Sequence, residues 1–252
     1  MSFTTRFCLL LGGSFLSLAG VAAGGSITPS SPVTLQIFGT DPGGFLQDQD
    51  SPVFQIDADP SGDFSSVDEF LPGTSGSRLW DVTSLSISGN VDPIVFLSFS
   101  VTNTASTPTL ITFVTTLPTG PVGPATVFGG SVSGTLLDTD PNSAELSPGP
   151  SGFVYEGNID GNVVLSLLDD STSVTLPATA ASIPTEIVGL PGPTLPGPAV
   201  SSTIGLTLEF LLSPGDTATF GASFVVEAVP EPTTCVLALV TAGSMAGMRR
   251  RR

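Results

Sequence analysis

Thr203-Ile204-Gly205-Leu206-Thr207-Leu208-Glu209-Phe210-Leu211-Leu212 is the stretch that sets the fold class. Ile204, Leu206, Leu208, Phe210 and Leu212 alternate with Thr203, Gly205, Thr207 and Glu209. That is the period of two expected of a strand with one face buried. After Ser213-Pro214-Gly215-Asp216 the alternation resumes as Ala218, Phe220, Ala222, Phe224 and Val226. Two such runs across a turn of this composition are expected to pair as an antiparallel hairpin. Val95, Leu97, Phe99 and Val101 repeat the pattern against Ser98 and Ser100. Further strands are expected over residues 79–87, 110–117, 125–137 and 153–155, and Asp160-Gly161 should turn the chain into another at 163–168. Outside the two ends there is no useful apolar stripe of helical period. Many short strands between Gly/Pro turns predict an all-β body, an antiparallel β-sandwich of jelly-roll-like style. The proline-rich segment 177–198 reads as an extended connection over the surface.

The rest of the composition agrees with a single packed body. The chain has 252 residues with 29 Gly and 23 Pro, rich in turn formers but short of the ~25–30% that marks unstructured low complexity. Hydrophobic residues make up 40%, enough for one core, and charged residues only 11%. There is no His and no Lys, which excludes His-assisted nucleophiles, Schiff-base lysines and His-containing metal sites.

The ends read as addresses. Arg6 precedes an apolar run of about 12 residues, too short to span a bilayer but suited to the core of a secretory signal. Small residues follow, and Val21 and Ala23 occupy the −3 and −1 positions of a signal-peptidase cleavage site. The N-terminus is therefore expected to be a signal-peptide helix, residues 1–23. At the other end Val229-Pro230-Glu231-Pro232 leads into the uncharged residues 233–248 and then Arg249, Arg250, Arg251 and Arg252. As a helix that stretch would be about 24 Å long, somewhat less than a hydrocarbon core of about 30 Å. Four arginines would not cross, so they act as a membrane stop that holds the C-terminus in the cytoplasm while the body lies outside.

This arrangement of Pro230, Glu231 and Pro232, a short apolar transmembrane helix and a terminal Arg cluster resembles the PEP-CTERM sorting signal of exported Gram-negative proteins. The resemblance covers residues 228–252 and leaves 24–227 as the body. It implies that an exosortase-type membrane peptidase recognises Pro230-Glu231-Pro232 and removes the tail after transient anchoring in the inner membrane. The body would then pass to the cell surface or extracellular matrix. Cys235 departs from the small or apolar residues usual in that helix but leaves the motif intact. Leu71-Pro72-Gly73-Thr74-Ser75 and Leu117-Pro118-Thr119-Gly120 look like sortase sites of Gram-positive proteins, but neither precedes an apolar helix and basic tail, so both read as turns.

Without residues 1–23 and 233–252 the chain keeps 22 acidic residues against Arg78 alone. Such a surface repels nucleic acid and anionic lipid and attracts divalent cations. Cys8 and Cys235 both fall in the segments expected to be lost, so the mature body has no disulfide and relies on packing.

Candidate chemistry is sparse. Asp57, Asp59, Ser61, Asp63 and Asp68 occupy positions 1, 3, 5, 7 and 12 of a loop with Gly62 at 6, the spacing that wraps Ca²⁺ in an EF-hand. Pro60 within it, Asp rather than Glu at the close and the lack of flanking helices count against it. Asp138-Thr139-Asp140-Pro141-Asn142 is a weaker echo, without the Gly and the closing carboxylate, and reads as a turn. Ca²⁺ is the one cofactor the sequence suggests. Paired carboxylates would allow an acidic glycosidase. The adjacent pairs Asp169-Asp170 and Asp68-Glu69 would point to opposite faces of a strand, however. Sugar platforms are limited to Trp80 and Tyr155, and Trp80 reads as core. The sequence thus predicts an exported, non-catalytic surface or matrix protein. The alternative is a module that binds Ca²⁺ or extracellular polysaccharide. Its processing partners would be signal peptidase and the exosortase-type peptidase, and no nucleic acid is among its partners.

Overall fold

The structure is a computed structural model and describes residues 32–40, 53–57, 63–68, 79–90, 93–140, 142–175 and 179–229. Both terminal helices expected from the sequence lie outside these residues. The described residues form fifteen strands and no helix. In chain order these are β1 (Val33–Thr40), β2 (Val53–Ile56), β3 (Asp63–Asp68), β4 (Trp80–Asn90), β5 (Ile94–Asn103), β6 (Thr109–Pro118), β7 (Thr126–Leu137) and β8 (Ala144–Pro148). They continue as β9 (Tyr155–Ile159), β10 (Asn162–Leu167), β11 (Thr172–Val174), β12 (Ala180–Val188), β13 (Leu195–Gly197), β14 (Thr203–Leu212) and β15 (Thr217–Ala228).

Two antiparallel sheets face each other. The first runs β10-β9-β14-β6-β1-β2, with β8 and β11 extending it beside the far half of β14. The second runs β12-β7-β15-β5-β4-β3, with β13 beside the first residues of β7. Alternate residues of the central strands point inward, as the period of two requires, so each sheet offers one apolar face to the other. Phe99 of β5 and Phe220 of β15 come from one sheet, and Phe113 of β6 and Phe210 of β14 from the other. Their rings form one cluster: Phe99 stacks on Phe113 at 3.7 Å between centroids, and Phe210 meets Phe220 at 4.9 Å. Trp80 and Tyr155 are both core residues. The buried Tyr155 hydroxyl donates to the Ser223 carbonyl across the core, tying β9 to β15 at 2.8 Å. Burial pushes that phenol far above its usual range.

The expected hairpin of β14 and β15 does not exist. Both are strands over the expected residues, but β14 pairs with β6, β8 and β9, whereas β15 pairs with β5 and β7 in the other sheet. Residues 213–216 are an arch that carries the chain across the core. The alternation cannot separate the two outcomes. In a hairpin the apolar side chains of both runs would share one sheet face, and in an arch they face each other, but the sequence pattern is the same.

The proline-rich segment 177–198 is also more ordered than a surface connection. It contains β12 and β13, both laid along the outer edge of β7. An edge strand tolerates proline, whose missing N–H faces away from the sheet or sits at a bulge. Pro184 lies where the β12–β7 register shifts, between Ile183 and Glu186. Asp169 and Asp170, expected on a strand, follow the end of β10 and are both exposed.

Asp160-Gly161 makes the expected turn between β9 and β10, with positive φ at both residues (49° and 76°). The Asp160 carboxylate accepts from the backbone N–H of Ser201, Ser202 and Thr203 and from the Ser202 hydroxyl, at 2.7–3.0 Å. It thereby pins the entry to β14. Desolvation pushes this carboxyl up, but the four bonds outweigh it and hold its pKa at about 2. Because it titrates lower folded than unfolded, the contribution of these bonds is complete above about pH 4 and is lost as the pH falls toward 2. Asp160→Ala is expected to lower stability at pH 7 by about 1–2 kcal/mol, since water reaches the freed donors. In urea melts the gap from wild type should close on acidification. An equal gap at pH 7 and pH 2 would show that the charge contributes nothing.

Candidate functional site

Three of the crossings at one end of the sandwich lie side by side. Residues 104–108 join β5 to β6, the segment between Leu137 and Ala144 joins β7 to β8, and residues 213–216 join β14 to β15. Asn103, fully buried, stitches the first crossing to the third. Its backbone N–H donates to the Asp216 carbonyl and its carbonyl accepts from Gly215, both at 2.9 Å. Its side-chain amide donates to the carbonyls of Leu212 and Thr107, and its Oδ1 accepts from Ala105 N–H and the Thr109 hydroxyl. Every polar atom of the side chain is therefore satisfied, as burial demands.

The contact between the third crossing and the one after β7 is different in kind. Thr139 donates its backbone N–H to Asp216 Oδ1 and its hydroxyl to the Gly215 carbonyl. The Ser213 hydroxyl donates to Asp216 Oδ2. Around these bonds one carboxylate oxygen each of Asp138, Asp140 and Asp216 lies within 4.8 Å of the others. Asp216 is fully buried. Both carboxylate oxygens of Asp138, and Oδ1 of Asp140, are closed off from solvent and meet no hydrogen-bond donor. Asp140 Oδ2 accepts from the Asn142 amide at 2.9 Å. Gly215 is required for the approach: its φ is +78°, and a Cβ there would sit 2.8 Å from Asp140 Oδ2. Burial pushes the Asp216 carboxyl above the usual carboxylate range, and the charges of Asp140 and Asp138 push the same way, outweighing the bonds from Ser213 and Thr139. No cationic side chain stands among the described residues, because Arg6, Arg78 and the four terminal arginines all lie outside them.

Sequence reasoning took Asp138-Thr139-Asp140 for a turn because no closing carboxylate follows locally. The structure supplies one from the third crossing, with Asp216 77 positions after Thr139. The available signal was that an alternating apolar run ends in an acidic turn at both places.

The loop expected to bind Ca²⁺ is only partly described. Asp57 follows β2, Asp63 opens β3, and both are exposed along a surface groove that Ser65, Ser88 and Phe96 also line. Asn90 Nδ2 donates to Asp63 Oδ1 at 2.6 Å. Asp59 and Ser61 lie outside the described residues. Asp68 ends β3, five residues along an extended strand and so roughly 17 Å from Asp63 at about 3.3 Å per residue. Val21, Ala23, Pro230, Glu231, Pro232 and the four terminal arginines also lie outside the described residues.

The last described residues are nonetheless informative. β15 ends at Ala228, and the Val229 N–H donates to the Ala125 carbonyl at 3.0 Å, at the end of the sandwich opposite the three crossings. Pro230-Glu231-Pro232 begins immediately after. Residues 228–252 match the family model of the PEP-CTERM protein-sorting motif. The chain carries a PEP-CTERM sorting tail. The tail implies export, transient anchoring through the C-terminus and processing by an exosortase at the membrane. A search of curated proteins finds no match to the chain.

Proposed function

We propose that this protein is a non-catalytic, acidic β-sandwich that the PEP-CTERM tail delivers to the cell surface or extracellular matrix, free of its last residues. The observation that carries this reading is the sorting motif set directly against the end of β15, so that cleavage there releases a sandwich whose strands are intact. The burial of Trp80 and Tyr155 supports a non-catalytic body, since neither is placed to hold a sugar. Mass spectrometry of the surface fraction tests the processing. Peptides ending near Pro230 are expected, and none from residues 233–248. Recovery of those tail peptides from surface protein would overturn the reading.

A second reading, a module that binds extracellular polysaccharide, draws support from the outer face of the second sheet. Ser86, Ser88, Ser98, Ser131 and Ser133 line a shallow groove there beside Phe96, which is 45% exposed. Hydroxyls next to one exposed ring suit a sugar chain. Retardation of the protein in polysaccharide-containing native gels, lost in Phe96→Ala, would favour this reading over a purely structural role.

A further inference from the structure

We propose that Asp138, Asp140 and Asp216 form a Ca²⁺ site that clamps the crossing after β7 to the crossing between β14 and β15. Three carboxylates converge within 4.8 Å, and three of their oxygens are buried without a donor. An ionised carboxylate withdrawn from water is strongly destabilising unless it is paired with a positive charge or coordinates a metal. The described residues offer no ammonium, guanidinium or imidazole to do this. The hydrogen bonds that exist use one lone pair on each Asp216 oxygen, and a carboxylate oxygen has a second to give.

The donor set selects the ion. All the ligand atoms are hard oxygens, which suit Ca²⁺ or Mg²⁺ rather than softer transition metals. Ca²⁺ accepts irregular shells of six to eight oxygens, whereas Mg²⁺ requires a near-ideal octahedron and keeps most of its waters. A site assembled from two irregular crossings, with carboxylates closed off from solvent, fits the first of these. Water and backbone carbonyls would complete the shell. Extracellular modules typically hold Ca²⁺ with dissociation constants of roughly 0.1–1 mM, which an exported protein meets only after it leaves the cytoplasm.

The test uses the exported protein, stripped of metal with EGTA and titrated with CaCl₂ by calorimetry and by thermal melts. One saturating site per chain and a raised melting midpoint are expected. Asp138→Asn and Asp140→Asn keep the shape of each side chain and remove one charge, so both should fold, as far-UV circular dichroism in EGTA would confirm. Each is expected to weaken Ca²⁺ binding about tenfold or more, because affinity follows the count of ligand charges. In EGTA each should also melt above the wild type, since the repulsion among the three carboxylates is reduced. Asp57→Asn should titrate as the wild type does. Wild-type titrations in both Asp138→Asn and Asp140→Asn would overturn the proposal. So would loss of binding in Asp57→Asn alone, which would move the ion to the other loop, or a wild type indifferent to millimolar Ca²⁺.

Discussion

Phe99→Ala is expected to unfold the sandwich about 4 kcal/mol more easily than wild type, and Phe96→Ala, three residues earlier on the same strand, to change stability by less than about 0.5 kcal/mol. The difference is one of face. Phe99 is 1% exposed and touches aromatic rings from both sheets, so truncation opens a cavity that neither sheet can collapse to fill. Phe96 points outward over the serine groove and leaves water where it stood. With a total stability of about 5–15 kcal/mol usual for a domain, a loss of this size takes a large part of it. In urea melts the midpoint for Phe99→Ala should fall by more than about 1 M, given slopes of roughly 1–3 kcal/mol/M, with the slope itself unchanged. Similar midpoints for the two variants would mean that the aromatic cluster is not the centre of the core.

Replacing Arg249, Arg250, Arg251 and Arg252 by serine is expected to lower the yield of processed protein at least tenfold. Each arginine near the middle of a bilayer opposes insertion by about 2.5–3.5 kcal/mol, so four together present a barrier of roughly 10 kcal/mol or more to passage. The preceding residues 233–248 have no charge and include Thr, Ser and Gly, so they hold the membrane weakly by themselves. Without the cationic stop the tail should slip through and the protein should leave the membrane uncut. Four lysines in place of the arginines should restore processing, because the barrier depends on charge rather than on the guanidinium fork. Immunoblots of membrane and exported fractions, with mass spectrometry of the C-terminus, read the outcome. Unchanged processing in the serine variant would show that the peptidase needs only Pro230-Glu231-Pro232.

Strands were legible in this sequence wherever they alternate cleanly, because a period of two follows directly from the pleat. β5, β14 and β15 lie where Val95, Ile204 and Ala218 begin their runs. What each strand pairs with was not legible. The four residues Ser213-Pro214-Gly215-Asp216 suit a hairpin as well as an arch, and only the position of β5 and β6 in opposite sheets decides between them. The same ambiguity hid the carboxylate cluster. Asp138 and Asp140 look like turn residues until the arch brings Asp216 beside them, and no local spacing encodes a contact made through sheet topology. β12 and β13 were obscured for another reason: Pro184 and Pro196 argue against a central strand, but on an edge the missing donor removes no ladder bond. The sorting tail was legible in full because it is a linear signal, read in order along the chain without reference to the fold.

The length of β15 sets where things happen on the exported molecule. Asp216 precedes its first residue and the sorting motif follows its last, so the strand acts as a spacer of about 40 Å between the two poles at about 3.3 Å per residue. A Debye length is about 8 Å at physiological salt, so the negative pole is electrically invisible to anionic headgroups gathered around the embedded tail. The cluster of Asp138, Asp140 and Asp216 therefore adds no repulsion of its own when the body is held against the lipid for cutting. With only Val229 between the sheet and Pro230, the sorting motif begins one residue beyond the last strand, with no linker to hold the folded body away from it.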